Sequence, residues 1–449
     1  MSQARKPGRL RPHARSLMEA LREFLTPQVW KQVRKEASRR KLSRWDIRPL
    51  FLVLLTMTWC CGDSLAERFE TARGFYVACH DKRRRPGTTF QGFQQALGRL
   101  PMNVLRALSA AIRERIVKVC SAHWWCNGFI PLGCDGSRLE CARTAELEKR
   151  LGSGGKEDSA PTLWVTAIVH LLTGVPWTWR FGRGSKPSER RHLVQMLQDL
   201  PRLALIVADA GYYGYELLTE LIRARVSYLI RMSSTVTLYT ETHNPLEQFR
   251  EGWVYYWPEW SQKQDLPPVP ARLILVRDKR RKVDVWLLTD VTAERLSLDD
   301  ASRYYRWRWE NEGYFRTYKR TLAKMKLMSR TVREVHREAE ASMIAAQLLL
   351  ALGAEAMPVA KGQEPRAMCS PRKVLLEFRR ELSGPRSARG RRNFTERLRD
   401  CCRERRQRTS VKAVRSWPRR KPHKSPGPPT ILTLTDAQKR RISRVGLTI

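Results

Sequence analysis

Four polar side chains recur at helical spacing between residues 304 and 325. Tyr305, Arg308, Glu312 and Lys319 stand at offsets of three, seven and fourteen, which places them within an arc of roughly 60° on one continuous α-helix. One helix face would then carry a phenol hydroxyl, two cations and one carboxylate. Taken alone, the pattern is as typical of a solvated basic helix with one salt-bridged glutamate. Candidate N-caps ahead of the helix are Ser297, Asp299 and Asp300.

Two further carboxylates follow short apolar stretches that we predict to be buried strands. Asp135 follows Phe129–Cys134 in the sequence LGCDGS, and Asp209 follows Ala204–Ala208 in VADAGYYG. Small flanking residues would let the backbone approach a ligand closely. An aspartate after a strand is often only a turn residue. Two such aspartates, followed by a helix that presents Glu312, form a more specific pattern.

Three carboxylates brought together by two strands and a helix predict a site for hard cations. Oxygen ligands suit Mg²⁺ or Mn²⁺, and no soft-ligand pattern accompanies them. Two such ions about 4 Å apart can activate an attacking oxygen and stabilise the leaving oxygen of a phosphodiester. Arg308 and Lys319, predicted on the same helix face as Glu312, would hold the phosphates of the scissile strand against the metal ions.

The elements that must position these residues predict a mixed α/β core. From residue 128 the hydrophobic pattern predicts the order strand, strand, strand, helix, strand, helix, strand. Leu163–Leu172 and Val175–Phe181 are predicted to pair as a hairpin across Thr173–Gly174, and Tyr215–Arg223 is predicted to be a helix. A stretch that contains Trp253, Trp257, Trp260 and Trp286 is predicted to be a β-rich insertion. Exposed tryptophans there could stack on unpaired bases, but we expect most of them to form the core of the insertion.

Changes of pattern divide the chain into five predicted regions. Residues 1–125 are helical and basic, and are predicted to bind DNA or, alternatively, to cap the following domain. The next three are 126–231, the first part of the core; 232–295, the β-rich insertion; and 296–360, the second part with the Glu312 helix. Residues 361–449 are predicted to form a basic, partly disordered tail that binds phosphates.

The composition favours a polyanionic partner. The 449 residues include 85 Lys and Arg against 44 Asp and Glu, a net charge of +41. Such an excess indicates nucleic acid. The apolar stretches are too short to span a bilayer, and no targeting or lipidation signal is seen, so we expect a cytoplasmic protein with no membrane partner. Ten cysteines without a ligand pattern predict reduced thiols.

The core with Asp135, Asp209 and Glu312 resembles the DDE transposases, which have a ribonuclease-H-like fold. The Tyr-x2-Arg-x3-Glu-x6-Lys spacing that begins at Tyr305 and ends at Lys319 resembles the signature of the insertion-sequence-four family, which includes transposon-five-like enzymes. The similarity covers roughly residues 128–330. It implies that the three carboxylates are catalytic and bind two Mg²⁺ or Mn²⁺ ions.

The same resemblance implies contacts with DNA. Tyr305, Arg308 and Lys319 would contact phosphates and a displaced base near the transposon end. Trp286, in the sequence VWLLTD, resembles the insertion-domain tryptophan that stacks on a flipped base in this family.

The implied function is that of a bacterial insertion-sequence transposase bound to DNA at the nucleoid. Similar enzymes cut by hydrolysis, form a hairpin on the other strand and join the end to target DNA. The implied partners are double-stranded DNA, as terminal inverted repeats and as target, and a second copy of the chain. Two alternatives remain open: a ribonuclease-H-fold endonuclease without strand transfer, and an inactive transposase-derived DNA-binding protein.

Overall fold

The chain forms two compact units, each assembled from separate stretches of sequence. The computed structural model describes residues 16–37, 45–80, 85–153, 159–185, 188–242, 249–278, 283–358, 369–384, 392–402 and 427–444. Unit 1 comprises Met1–Cys126, Gly136–Ser188 and Glu310–Arg403. Unit 2 comprises Asn127–Asp135, Glu189–Trp309 and Glu404–Ile449.

Both helices and strands are present in the described residues. The α-helices, in chain order, are α1 Leu17–Phe24, α2 Pro27–Glu36, α3 Ile47–Trp59, α4 Leu65–Ala78, α5 Phe90–Arg99, α6 Asn103–Val119, α7 Ala145–Leu151, α8 Glu189–Met196, α9 Tyr215–Arg223, α10 Glu259–Lys263, α11 Leu298–Trp307, α12 Glu310–Arg316, α13 Val332–Glu355, α14 Pro371–Leu382, α15 Phe394–Arg399 and α16 Asp436–Arg444. The strands are β1 Ile130–Glu140, β2 Thr162–His170, β3 Pro176–Arg183, β4 Ala204–Ala208, β5 Ser227–Arg231, β6 Thr237–Thr240, β7 Glu251–Tyr256, β8 Val269–Asp278, β9 Val283–Thr289 and β10 Thr430–Thr433.

Local sequence explains where many of these helices begin. Short polar side chains ahead of the first turn accept a backbone N–H that the helix leaves without a partner. Such caps are Ser16, Thr26, Asp46, Ser64, Thr89, Thr144, Ser297 and Thr331. Ser297 accepts the N–H of Asp300 at 3.1 Å. The predicted start of the helix that carries Tyr305 is therefore confirmed.

Unit 1 is organised around α13, in which residues 339–354 are all buried. Burial of each large aliphatic side chain contributes about 1.5–3 kcal/mol relative to exposure, which makes this helix a main source of core stability. Two of its buried charged side chains have well-placed partners. Arg337 donates to the carbonyl of Leu100 at 2.7 Å, and Glu340 accepts from the indole N–H of Trp179 at 2.6 Å. Strands β2 and β3, also in unit 1, form the predicted antiparallel hairpin.

Unit 2 contains a mixed sheet with the strand order β10-β6-β7-β8-β9-β5-β4-β1. Strands β1, β4 and β5 run parallel. From β5 the sheet continues antiparallel through β9, β8, β7 and β6, and β10 runs parallel to β6. The strands of the predicted insertion therefore extend the core sheet directly. The predicted helix Tyr215–Arg223 is confirmed as α9.

The predicted fold class, an α/β protein with a ribonuclease-H-like mixed-sheet core, is confirmed. The antiparallel hairpin of β2 and β3 and the parallel strands β1, β4 and β5 are the elements that such a core requires. Among the described residues, no helix has both the length and the apolar character that crossing a bilayer demands.

The end of the described chain is more ordered than the predicted tail. The proline-rich part of that tail, residues 417–429, lies mostly outside the described residues. The chain beyond it forms β10 and α16, which pack on the insertion strands. Leu434 and Ile442 belong to a buried apolar cluster with Tyr255 and Trp257. Because this stretch is strongly basic, the sequence analysis did not identify α16 as an amphipathic helix whose apolar side contributes to the core of unit 2.

Candidate active site

Asp135 and Asp209 lie side by side at one edge of the unit 2 sheet. Strands β1 and β4 pair in parallel, with Gly133 opposite Val207, and each aspartate stands two residues further along the chain than its residue in that pair. Parallel strands leave this register at the same edge, so the two carboxylates are brought together. The sequence analysis predicted that both aspartates directly follow the end of a strand. Asp209 does follow β4, but Asp135 lies within the longer β1.

A short hydrogen-bonded turn orients the carboxylate of Asp209. Its Oδ1 accepts the N–H of Gly211 at 2.8 Å, and its carbonyl accepts the N–H of Tyr212 at 3.1 Å. Arg190, on the first turn of α8, donates from Nε to the Gly211 carbonyl at 2.8 Å. The Asp209 side chain remains 45% exposed. One carboxylate oxygen is thus fixed by the backbone, while the side chain stays accessible to a ligand.

Arg308, at the end of α11, brings a buried cation to Asp209. The Arg308 side chain is 10% exposed, and its Nη1 lies 4.0 Å from Asp209 Oδ2. The guanidinium lies over the Trp309 ring at 4.8 Å and near the Tyr305 ring at 5.6 Å. Arg308 Nε and the Tyr305 hydroxyl are buried and have no hydrogen-bond partner among the described residues. Buried donors without partners cost free energy, so these two groups are unusual features of the site.

Glu189 is a third carboxylate near the aspartate pair, and the sequence analysis missed it. Burial and the charges of Asp135 and Asp209 raise the pKa of Glu189. The available signal was weak, because a glutamate in the first turn of a helix is ordinary. Arg190, which holds the turn after Asp209, was missed for the same reason: a surface cation on a basic helix does not stand out.

The stretch that carries the other predicted site residues is not one continuous helix. Helix α11 ends at Trp307, α12 begins at Glu310, and Thr317–Thr321 form a π-turn. At the first break, the N–H groups of Arg308 and Trp309 donate three residues back, which tightens the turn. The predicted single arc of four side chains on one helix is therefore wrong.

Glu312 and Lys319 belong to unit 1, whereas Tyr305 and Arg308 belong to unit 2 with the aspartates. Glu312 is exposed on the first turn of α12. Lys319 is half-buried in the π-turn. Burial lowers the pKa of Lys319, and the nearby charge of Glu140 opposes this effect. The structure thus brings Asp135, Asp209, Tyr305 and Arg308 together, and the participation of Glu312 and Lys319 stays a prediction.

Asn311 is a further unusual residue that the sequence analysis missed. It precedes Glu312 in α12 and is fully buried. Both its amide oxygen and its amide nitrogen have no hydrogen-bond partner among the described residues. A buried amide in this state costs about 1–3 kcal/mol relative to a paired one. Such local cost is typical of functional sites.

Trp286 is buried on β9, where it is only 6% exposed. Its ring lies 6.0 Å from that of Phe249, so it packs in the interior of unit 2. The expectation that most insertion tryptophans form the local core holds for only two of the four: Trp257 and Trp286 are buried, whereas Trp253 and Trp260 are exposed. The stacking of Trp286 on a flipped base stays a prediction.

The aspartate pair is a suitable donor set for a hard cation. Proteins usually hold Mg²⁺ with one or two carboxylates together with water and substrate phosphates, and Asp135 and Asp209 supply two carboxylates at one sheet edge. In the part of the chain that the structure describes, no three His, Cys, Asp or Glu side chains are grouped to hold a metal ion. The structure therefore offers a two-carboxylate donor set, and a third ligand from Glu312 stays a prediction.

Residues 134–348 match the family model described as the transposase DDE domain. This part of the chain resembles a DDE transposase. The transposase-like stretch covers just under half of the chain. Within it lie all the predicted site residues: Asp135, Asp209, Trp286, Tyr305, Arg308, Glu312 and Lys319.

No curated protein matches the chain. A similar solved structure is the cryo-EM structure of the piggyBac transposase synaptic complex with hairpin DNA, at 11% sequence identity and a TM-score of 0.40. That similarity covers 91% of this chain and 90% of the other. It is too weak to add to what the site geometry and the transposase-like stretch indicate.

Proposed function

We propose that this protein is a DNA transposase of the insertion-sequence-four family. The observation that carries the proposal is the pairing of Asp135 with Asp209 at one sheet edge, inside a stretch that resembles a transposase DDE domain. Arg308, buried and 4.0 Å from Asp209, adds the cation that a phosphate would need there. On this proposal, the protein cuts DNA and then joins the cut end to a target.

Asp135, Asp209 and Glu312 would hold two Mg²⁺ or Mn²⁺ ions. Bound ions of this kind lower the pKa of an attacking water or hydroxyl and stabilise the leaving oxygen. In cleavage, a water oxygen bonds to phosphorus and the bond from phosphorus to the 3′ oxygen breaks, which leaves a 3′-hydroxyl and a 5′-phosphate. In joining, that 3′-hydroxyl oxygen bonds to a target phosphorus and the target's own 3′ oxygen leaves.

The side chains around the carboxylates would bind and orient the DNA. Arg308 would place its guanidinium on the phosphate beside Asp209, since a planar, permanently charged group binds phosphate oxygens well. The Tyr305 hydroxyl, buried and without a partner among the described residues, would donate to the same strand. Lys319 would hold a neighbouring phosphate. We assign Trp286 to a displaced base, which requires its ring to become accessible when DNA binds.

The proposed partners are double-stranded DNA and a second copy of the chain. The DNA is the terminal inverted repeats of an insertion sequence and the target duplex, and the net charge of +41 favours such a polyanion. Two copies would hold two ends in a synaptic complex. The proposed location is the bacterial cytoplasm, at the nucleoid, without a membrane partner.

The decisive test is cleavage and joining of labelled duplexes that carry the segments flanking the coding sequence, with Mg²⁺. Wild type should nick, cleave and join. Asp209→Asn should bind the duplex normally and lose both reactions. Glu216→Gln is the matched control, because Glu216 is an exposed carboxylate on α9 of the same unit. Cleavage by wild type without joining would support the endonuclease alternative. Binding without any cleavage would support the inactive DNA-binding alternative.

A further inference from the structure

Two cysteines of unit 1 lie opposite each other beside α14 and α15. Cys369, just before α14, and Cys402, just after α15, form a single antiparallel β-bridge. The N–H of Ser370 donates to the carbonyl of Cys401 at 2.6 Å. This hydrogen bond joins residues that flank the bridge, so the two bridged cysteines form a non-hydrogen-bonded pair. Both are in the thiol form and belong to unit 1, whereas the aspartate pair belongs to unit 2.

This position brings the two cysteines within reach of a disulfide bond. In a non-hydrogen-bonded antiparallel pair the Cα atoms lie about 4.5 Å apart, and directly opposite side chains stand on the same face. A disulfide requires Cα atoms roughly 4.4–6.8 Å apart. Cys401, one residue before Cys402, points to the opposite face, because side chains alternate along an extended chain. Its Sγ donates instead to the carbonyl of Arg397 at 3.5 Å, and burial raises the pKa of its thiol to about 11.

The two bridged thiols differ in their access to solvent. Cys402 is exposed, so a small oxidant can reach its sulfur. Cys369 is 6% exposed, and its Sγ rests against α13, where a Cβ placed on Gly353 would lie 2.6 Å from it. An exposed thiol with a second thiol beside it is the arrangement of a redox-sensing pair, in which the exposed sulfur is oxidised first and the second sulfur then bonds to it.

We propose that Cys402 and Cys369 are a redox-sensing pair that hydrogen peroxide converts into an intramolecular disulfide. The Cys402 thiolate attacks one peroxide oxygen, the O–O bond breaks, and the other oxygen leaves as hydroxide. The Cys369 sulfur turns away from α13 and bonds to Cys402 Sγ. The S–O bond of the sulfenic acid then breaks, and its oxygen leaves as water with the proton of the Cys369 thiol. In a reducing compartment such a disulfide is transient, because cellular thiols reduce it.

The disulfide would lock α15 onto α14. Helix α15 is only six residues long. Its contacts with α14 include the rings of Phe394 and Phe378, 5.8 Å apart, and a hydrogen bond from Arg397 Nε to Glu377 at 3.0 Å. A short helix with few contacts opens locally at little cost in free energy. A covalent bond from the chain after α15 to the chain before α14 excludes the open states in which these two segments separate.

The test treats the full-length protein with increasing hydrogen peroxide, blocks the remaining thiols with N-ethylmaleimide, and identifies linked tryptic peptides by mass spectrometry. Wild type should give a peptide pair that joins Cys369 to Cys402 and that dithiothreitol separates. One tryptic peptide contains both Cys401 and Cys402, so single variants assign the bond: Cys402→Ser should lose the pair, and Cys401→Ser should retain it. Cys61→Ser is the matched control, because Cys61 is another exposed cysteine of unit 1 beside a buried one, and it should match wild type.

Two further measurements test the order of oxidation and its effect on the helix. Cys369→Ser should accumulate the sulfenic acid of Cys402, which dimedone labels, because the second thiol is gone. Oxidation of wild type should slow deuterium exchange of the α15 amides at least roughly threefold, and the same treatment of Cys402→Ser should not. Circular dichroism of the reduced variants checks their folding, and if the buried substitution Cys369→Ser prevents folding, the exposed one still carries the test.

The following results would overturn the proposal. The first is a disulfide from Cys369 to any other cysteine, and the second is a disulfide between two chains. The third is the absence of the Cys369–Cys402 pair at peroxide concentrations that oxidise the exposed thiol. The fourth is an α15 exchange rate that oxidation does not change.

Discussion

At the scale of single residues, the direction of the Asp209 carboxylate depends on Arg190, which acts on it through the backbone. Arg190 Nε donates a hydrogen bond to the Gly211 carbonyl at 2.8 Å. The Gly211 N–H in turn donates to Asp209 Oδ1 at 2.8 Å. The guanidinium also lies over the Tyr213 ring at 5.4 Å. Arg190 therefore fixes both the backbone and, through it, the direction of the Asp209 side chain. We regard it as a positioning residue.

We predict that Arg190→Ala raises the Mg²⁺ concentration needed for half-maximal cleavage by about 10–100-fold, the range found when residues that orient metal ligands are lost. DNA affinity should not change, and Arg190→Lys should restore part of the effect. Arg191→Ala is the matched control, since Arg191 is the exposed next residue of α8. A Mg²⁺ titration of strand cleavage gives the result. Equal requirements for wild type and Arg190→Ala would contradict the assignment.

We predict that replacement of Asn311 increases the stability of the protein and decreases its activity. The buried amide of Asn311 has no partner among the described residues, so Asn311→Leu should raise the free energy of unfolding by about 1–3 kcal/mol. If the amide serves the site that includes Glu312, the same variant should cleave more slowly. Denaturant unfolding and a cleavage assay on the same sample test both halves. A destabilised variant would show that the amide has a partner the structure does not describe.

At the scale of elements, a buried ion pair fixes the chain between the π-turn and α13. Glu338 accepts from Lys324 Nζ at 2.9 Å and from the N–H groups of Met328 and Ser329, each at 2.9 Å. The Lys324 side chain is 3% exposed and that of Glu338 is 9% exposed. Burial alone would raise the pKa of Glu338, but Lys324 and the donated hydrogen bonds outweigh it and lower that pKa.

Removal of one partner should cost more than removal of both. Glu338→Gln leaves the Lys324 charge buried and should lower the free energy of unfolding by about 3–5 kcal/mol. Lys324→Met/Glu338→Leu should cost less. Because the folded-state pKa of Glu338 is depressed, its contribution is present above the unfolded pKa, near 4.3, and is lost as the pH falls below it. Denaturant unfolding at several pH values measures these effects, and a double variant that is less stable than Glu338→Gln would contradict the prediction.

The packing of α16 against the insertion strands predicts that loss of a buried side chain there lowers the stability of the protein. Ile442 is 4% exposed in the cluster with Tyr255 and Trp257, so Ile442→Ala should cost about 2–5 kcal/mol. Its neighbour Ser443 is exposed, and Ser443→Ala should cost little. Thermal unfolding compares the two variants. Equal unfolding temperatures would mean that α16 contributes no packing energy to unit 2.

Most elements could be predicted because their signals are local. The strand predicted from Ala204 to Ala208 is β4, and the helix predicted from Tyr215 to Arg223 is α9. The extension of β1 past Asp135 could not be predicted, because partners far away in the sequence set the length of a strand. The break between α11 and α12 after Trp307 could not be predicted either. Locally tightened or widened helical turns leave the spacing of hydrophobic residues almost unchanged.

For the candidate site, sequence supplied the residue types, and the structure supplied the neighbours. Asp135 and Asp209 were predicted from their apolar flanks, and Arg308 from its spacing. Glu189 and Arg190 could not be found that way, because only the fold brings the start of α8 to the turn after Asp209.

At the scale of the whole molecule, binding and chemistry should depend on different groups. The 85 Lys and Arg residues are spread along the chain, so many of them can contact phosphates. Hydrolysis would depend instead on the few carboxylates of the aspartate edge. Chelation of divalent cations by EDTA should therefore abolish cleavage and leave duplex affinity nearly unchanged, and added Mg²⁺ should restore cleavage. Gel-shift and cleavage assays on one sample test this. Cleavage that persists in EDTA would contradict a role for metal ions.

The pairing of β10 with β6 has a consequence for how the chain is made. Thr237 lies opposite Thr430, so about 190 residues must be added after β6 before its partner strand exists. At typical rates of 5–20 residues per second, the ribosome needs roughly 10–40 s for that stretch. During this time β6 offers an open edge to any other nascent chain. A copy of the gene that is interrupted before residue 430 would keep that edge open permanently, and we expect its product to aggregate or be degraded.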